Sequence, residues 1–141
     1  MDAFDADVLI YAAGHIAPHG PVVRGHLFAS AASREDGIAG VGSVLLLPEL
    51  LSKPIRERWT DEVEGLGELL AWLDLRPVDE TTARTAAWLG AAYGLKAVDA
   101  THLATAVGAG ADRFITNNRR DFGPDIAEID IVYPEDLADV G

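Results

Sequence analysis

Short apolar runs alternate with segments of helical periodicity from one end of the chain to the other, and this alternation restricts the fold more than any other feature. Parallel strands cannot be joined by a tight hairpin, so the helices between them must cross the faces of a sheet. The opening run, 3–12, reads as a short buried strand leading into a turn or helix start, with Asp5 and Asp7 at its C-terminal end. Further strands are expected at 38–44, 73–78, 113–116 and 129–133, the second weakened by Gly40 and Gly42. Helices are expected over 22–33 and 61–72, from Asp79 or Glu80 to Tyr93, and over 100–107. Pro48 beside Glu49 suits the first turn of another helix, which reaches at least Pro54, because proline lacks a donor that would be orphaned there. Gly94 supplies a stop, residues 14–21 read as a loop, and Pro134 marks a turn. The pattern predicts one α/β domain over 1–141, with a central, mostly parallel sheet and helices on both faces.

Composition bounds the chemistry. With 141 residues the chain is long enough to bury a sizeable core. No apolar run approaches the roughly 20 residues of a membrane span. The N-terminus shows no basic stretch or cleavage site, so a cytoplasmic protein away from the membrane is expected. The absence of cysteine removes disulfides and thiolate metal sites. His15, His19, His26 and His102 lack the spacing of a zinc site. The net charge of −12 argues for a soluble surface and against a broad nucleic-acid footprint. Yet nine of the 11 basic residues are arginines, whose planar fork suits phosphate. An acidic chain can meet nucleic acid if some of its carboxylates are gathered and neutralised by divalent cations.

In an open α/β sheet, ligands gather beyond the carboxyl ends of the strands. Asp5 ends the first strand, Glu49 opens the helix after the second, and Asp99 opens another helix. Asn117, Asn118 and Asp121 follow the strand ending at Thr116. Carboxylates pressed together raise one another's pKa, and divalent metal relieves the repulsion. Magnesium takes oxygen ligands and needs only one or two carboxylates. Such ions activate water and stabilise the leaving oxygen of a phosphodiester.

Plainer roles compete. Asp99 could cap its helix, Glu49 could favour a helix dipole, and Asp121 could serve a turn. Asp5 is harder to explain in that way, because a carboxylate within an apolar strand is costly when buried. His102, three residues after Asp99, reads as a packing residue on the same helix face.

The segment Phe4-Asp5-Ala6-Asp7-Val8-Leu9-Ile10-Tyr11 resembles the opening motif of PIN-domain nucleases. Pro48-Glu49-Leu50-Leu51 resembles the family's second acidic motif, and Val98-Asp99-Ala100-Thr101-His102-Leu103-Ala104-Thr105-Ala106 the third, which is the most specific. Ala111-Asp112-Arg113-Phe114-Ile115-Thr116-Asn117-Asn118, followed by Arg119-Arg120-Asp121-Phe122, resembles the fourth. In length and motif order the chain is similar to the VapC-type ribonuclease toxins of toxin–antitoxin pairs. The resemblance implies a PIN-like three-layer fold, Mg²⁺ or Mn²⁺ dependence, RNA cleavage, a homodimer and inhibition by a cognate antitoxin. It assigns catalysis to Asp5, Glu49, Asp99 and Asp121, metal binding to Asp5, Asp99 and Asp121, and supporting roles to Asp7, Thr116 and Asn118. Two positions depart from the pattern. Asp7 stands where Ser, Thr or Asn is usual, and Asn118 where Asp is common, although some relatives pair that Asn with a later Asp-Phe, as in Asp121-Phe122.

Two other readings are compatible with parts of the sequence. Asp5-Ala6-Asp7 after a strand copies the nucleophile and acid of haloacid-dehalogenase-like phosphatases, but no later acidic pair follows Lys96 and Asp99 closely. A PIN-like module that binds without cutting is favoured by Asn118.

Overall fold

The computed structural model describes residues 1–14 and 18–138. Five strands alternate with seven helices: β1 (Asp2–Phe4), α1 (Ala6–Ala13), α2 (His19–Ala32), β2 (Gly40–Ser43), α3 (Leu46–Arg56), α4 (Thr60–Ala71), β3 (Leu73–Arg76), α5 (Glu80–Tyr93), α6 (Ala97–Gly108), β4 (Arg113–Ile115), β5 (Asp130–Val132) and α7 (Pro134–Ala138). The sheet order is β3-β2-β1-β4-β5 and every pairing is parallel. The chain moves outward from β1 to β3 and then returns to lay β4 on the other side of β1. The strand order therefore reverses at the β1–β4 crevice, where such sheets bind their ligands.

Side chains alternate across the sheet and build one core on each face. Phe4 and Ile115 point to the face covered by Val8, Leu9, Leu27, Leu46, Leu66 and Leu69. Ala3 and Phe114 point to the opposite face, with Leu89, Leu103, Phe122 and Ile126. Phe114 and Phe122 meet at a ring separation of 5.0 Å, which anchors the segment after β4. The result is a three-layer arrangement, the parallel sheet lying between two helical layers. Gly40 is required by the sheet itself: a Cβ there would lie 2.3 Å from the Asp2 carbonyl oxygen. Gly94 ends α5 with a left-handed φ of 68°, as its position suggested.

Local differences from the sequence reading have physical causes. Strand β1 stops at Phe4, and 8–11 belong to α1, where Val8, Leu9 and Ala12 are buried while Ile10 faces outward. Helical spacing of buried groups outweighs the strand preference of Val and Ile here. Part of the expected 14–21 loop lies outside the described residues, and α2 already begins at His19. Helix α3 continues through Pro54 to Arg56. Pro134 opens α7 rather than a simple turn, as its fixed φ allows at a first helical position. The 61–72 stretch packs Leu66, Leu69 and Leu70 into the core, so most of its apolar surface is internal. Among the described residues, no helix is long and apolar enough to cross a membrane.

Candidate active site

Asp5 directly follows β1 and is buried, 4% exposed. One carboxylate oxygen accepts from the Ala6 amide at 2.8 Å, capping α1, and the other accepts from the Thr116 hydroxyl at 2.8 Å. Thr116 directly follows β4 and is fully buried. Its hydroxyl oxygen also accepts from the Asn118 amide at 3.1 Å. The ends of the two strands are thus joined at the switch point through the acid that the sequence singled out. Asp7, in the first turn of α1, accepts from the Asn117 amide at 3.2 Å. That contact ties the first motif to the fourth.

Glu49 lies in the first turn of α3 and Asp99 in the first turn of α6. Asp99 does not cap its helix: Lys96 occupies the N-cap position, with no side-chain capping bond. The capping role considered for Asp99 therefore does not apply. One turn along α6, His102 is buried as expected, but its Nε2 stands 2.5 Å from Glu49 Oε2. This contact goes beyond the packing role expected of His102, and in the sequence only its three-residue offset from Asp99 hints at a place near the acids.

Asn118 and Asp121 hold each other. The Asn118 amide group donates to Asp121 at 3.0 Å, and the Asp121 backbone N–H donates to the Asn118 side-chain oxygen at 3.2 Å. The Phe122 amide closes the turn on the Asn118 carbonyl at 3.0 Å. Asn118 therefore fixes the carboxylate of Asp121. Asp121 does order the loop through its backbone, yet its side chain stays part of the acidic edge.

These acids sense one another. Burial pushes the Asp5 carboxyl up to about 7, and the neighbouring Asp7 charge adds to the rise. Asp7 is raised by burial and by Asp99 and Glu49, against the opposing hydrogen bonds of the Asn117 and Val8 amides. Asp99 is raised by burial, then by Asp121 and Glu49. All five predicted acidic positions, Asp5, Asp7, Glu49, Asp99 and Asp121, thus share one field. Among the described residues, no three His, Asp or Glu side chains form a ready-made metal cage. The donors are carboxylate and amide oxygens, which fit a hard cation that keeps most of its water.

An all-parallel sheet with carboxylates gathered at its switch point defines a class: an α/β protein whose ligand-binding edge is acidic. A model of the PIN domain matches residues 4–124, and the chain belongs to this family, a family of nucleases. The fold is also that of two solved structures. One is a toxin–antitoxin complex from Klebsiella pneumoniae, 21% identical with a TM-score of 0.70, the match covering 95% of this chain and 98% of that one. The other is VapBC2 from Rickettsia felis bound to a DNA fragment from its promoter, 14% identical with a TM-score of 0.73, covering 94% and 97%. No curated protein matches the sequence. Family membership leaves the haloacid-dehalogenase-like reading without support.

Proposed function

We propose that this protein is a cytoplasmic endoribonuclease that depends on Mg²⁺ or Mn²⁺ and acts as the toxin of a type II toxin–antitoxin pair. The carrying observation is the mutual repulsion of buried and half-buried carboxylates at the β1–β4 switch point, where burial and the Asp7 charge outweigh the hydrogen bonds and the nearby His102 that favour an ionised Asp5. Asp5, Asp99 and Asp121 would hold the ion, in part through its retained waters because the three form no closed cage, with Glu49 beside them. A divalent ion bound there supplies an activated water and stabilisation of the leaving oxygen.

The chain's own residues prepare that site. Thr116 and the Ala6 amide fix the two oxygens of Asp5. Asn118 aims Asp121, and the Asn117 amide holds Asp7. RNA approaching so acidic a protein needs local positive charge. Arg120 is largely exposed beside Asp121, and Lys96 lies close enough to Asp99 to moderate its charge. Arg119 stacks on Tyr133 at 4.0 Å and pairs with Glu135. These groups flank the edge without filling it, as phosphate contacts that position a substrate should.

The antitoxin and homodimer rest on fold likeness and on apolar surface. Leu47, Ile55 and Trp59 are exposed on and just beyond α3, the helix that carries Glu49. Phe28 on α2 is 63% exposed. A partner helix lying along α3 could bring a basic residue to the carboxylates.

The reading is tested by incubating purified protein with single-stranded RNA. Cleavage is expected with Mg²⁺ or Mn²⁺ and is expected to stop with EDTA. Equal cleavage in excess EDTA would remove the metal-dependent mechanism. Binding of RNA with no cleavage under any metal would favour the binding module instead.

A further inference from the structure

Glu49 and His102 stand on different helices, α3 and α6, and the contact between Oε2 and Nε2 joins them at 2.5 Å. The His102 side chain is 1% exposed, whereas that of Glu49 is 36% exposed. One partner is locked by packing and the other reaches the mouth of the site. A glutamate carboxyl is separated from its backbone by three rotatable bonds, so holding it still costs entropy unless something fixes it. His102 Nδ1 is the one buried side-chain nitrogen or oxygen without a hydrogen-bond partner among the described residues. An unpaired buried polar atom is costly, and an apolar side chain of similar shape would pack without that cost. The imidazole therefore serves something besides packing. Nε2–H can donate to Glu49 whether the ring is neutral or charged, so the one hydrogen bond that the ring makes is spent on Glu49.

We infer that His102 is a positioning residue that fixes the Glu49 carboxylate at the acidic edge. Its kinetic consequence rests on the nuclease reading above; the contact itself can be tested in the resting protein. In 15N-histidine-labelled protein without metal or RNA, Nε2 of His102 is expected to carry a proton shared with Glu49. Glu49→Gln should displace the Nε2 resonance and leave the melting temperature near that of the parent.

In the RNA cleavage assay, His102→Leu should lower kcat by about 10- to 100-fold, the range for residues that orient a site group, with KM little changed. His102→Gln, whose side-chain N–H can take the place of Nε2–H, should recover most of the loss. In a Glu49→Gln background, His102→Leu should cost nothing further. If His102→Leu does not fold, the Gln variant and the resonance carry the test. An unmoved His102 resonance in Glu49→Gln would overturn the inference. So would losses that add in the double variant, or a His102→Gln protein that melts like the parent with the kcat of His102→Leu. Should the parent cleave no RNA, the nuclease reading fails while the resonance still decides this one.

Discussion

Strands β1 and β4 lie side by side, and each carries a polar group at both ends: Asp2 opposite Arg113 at the start, Asp5 beside Thr116 just past the finish. At the start, the Asp2 carboxylate accepts two bonds from Arg113 at 2.9 Å and one from His26 at 2.7 Å. Burial pushes its pKa up, but these bonds outweigh burial and hold it well below the usual carboxylate range. At the finish, Asp5 has a hydroxyl, one amide and His102 near enough to favour its charge, but also another acid two residues away. Its carboxyl is held far above the usual range. One pair of strands thus carries an acid whose partners outweigh its burial at one end and an acid whose burial outweighs its partners at the other. The first end holds the sheet together, and the second is the end where the metal site is proposed.

The largest effect is expected from Asp5→Asn. Cleavage of RNA should fall by more than about 100-fold, beyond the usual range for residues that only orient a site. Stability should move the other way. With its pKa raised on folding, Asp5 contributes stability present below the ordinary carboxylate range and lost as pH rises through about 7. At pH 8 without metal, Asp5→Asn should therefore melt above the parent. A lower melting temperature there would place Asp5 with the structural acids.

Thr116→Val tests the same end more gently. It removes the hydroxyl that Asp5 accepts from while keeping the shape of the side chain. A loss of about 10-fold in kcat is expected. A rate equal to the parent would show that Asp5 does not need this orientation.

At the other end, Asp2→Asn should cost about 2 kcal/mol of stability, the scale of hydrogen bonds to charged groups. It should leave the rate within about two-fold below the melting range, since surface and structural changes away from a site act through stability. The stability Asp2 contributes is present above its unfolded pKa and fades as pH falls through its lowered folded value. Acid denaturation of Asp2→Asn should accordingly be less steep than that of the parent. A large loss of rate in Asp2→Asn would erase the contrast between the two ends.

The sequence shows the acidic end more readily than the basic one. Asp5, Glu49 and Asp99 stand out because each interrupts or opens an apolar segment, a local signal. The alternation of strands and helices likewise suffices for a three-layer parallel fold. The Asp2–Arg113 and Asp5–Thr116 contacts each span 111 positions, and nothing local to either residue announces its partner. His102 was legible as buried, but its bond to Glu49 spans 53 positions and depends on how α3 and α6 cross the edge. The boundary between β1 and α1 was obscured because Val8, Leu9 and Ile10 suit either structure until the core selects one face. The role of Asn118 was hidden for a simpler reason: only the folded turn brings its amide onto Asp121.

If the β1–β4 acids form the metal site proposed above, they repel one another until a divalent cation binds. The most direct measurement is the melting temperature of chelator-treated protein at pH 8, with and without Mg²⁺, for the parent and Asp5→Asn. At a hundredfold excess over Kd, Mg²⁺ should raise the parent's melting temperature by about 5–10 °C, and Asp5→Asn should lose most of that rise. Identical melting temperatures for the parent with and without Mg²⁺ or Mn²⁺ would contradict the account.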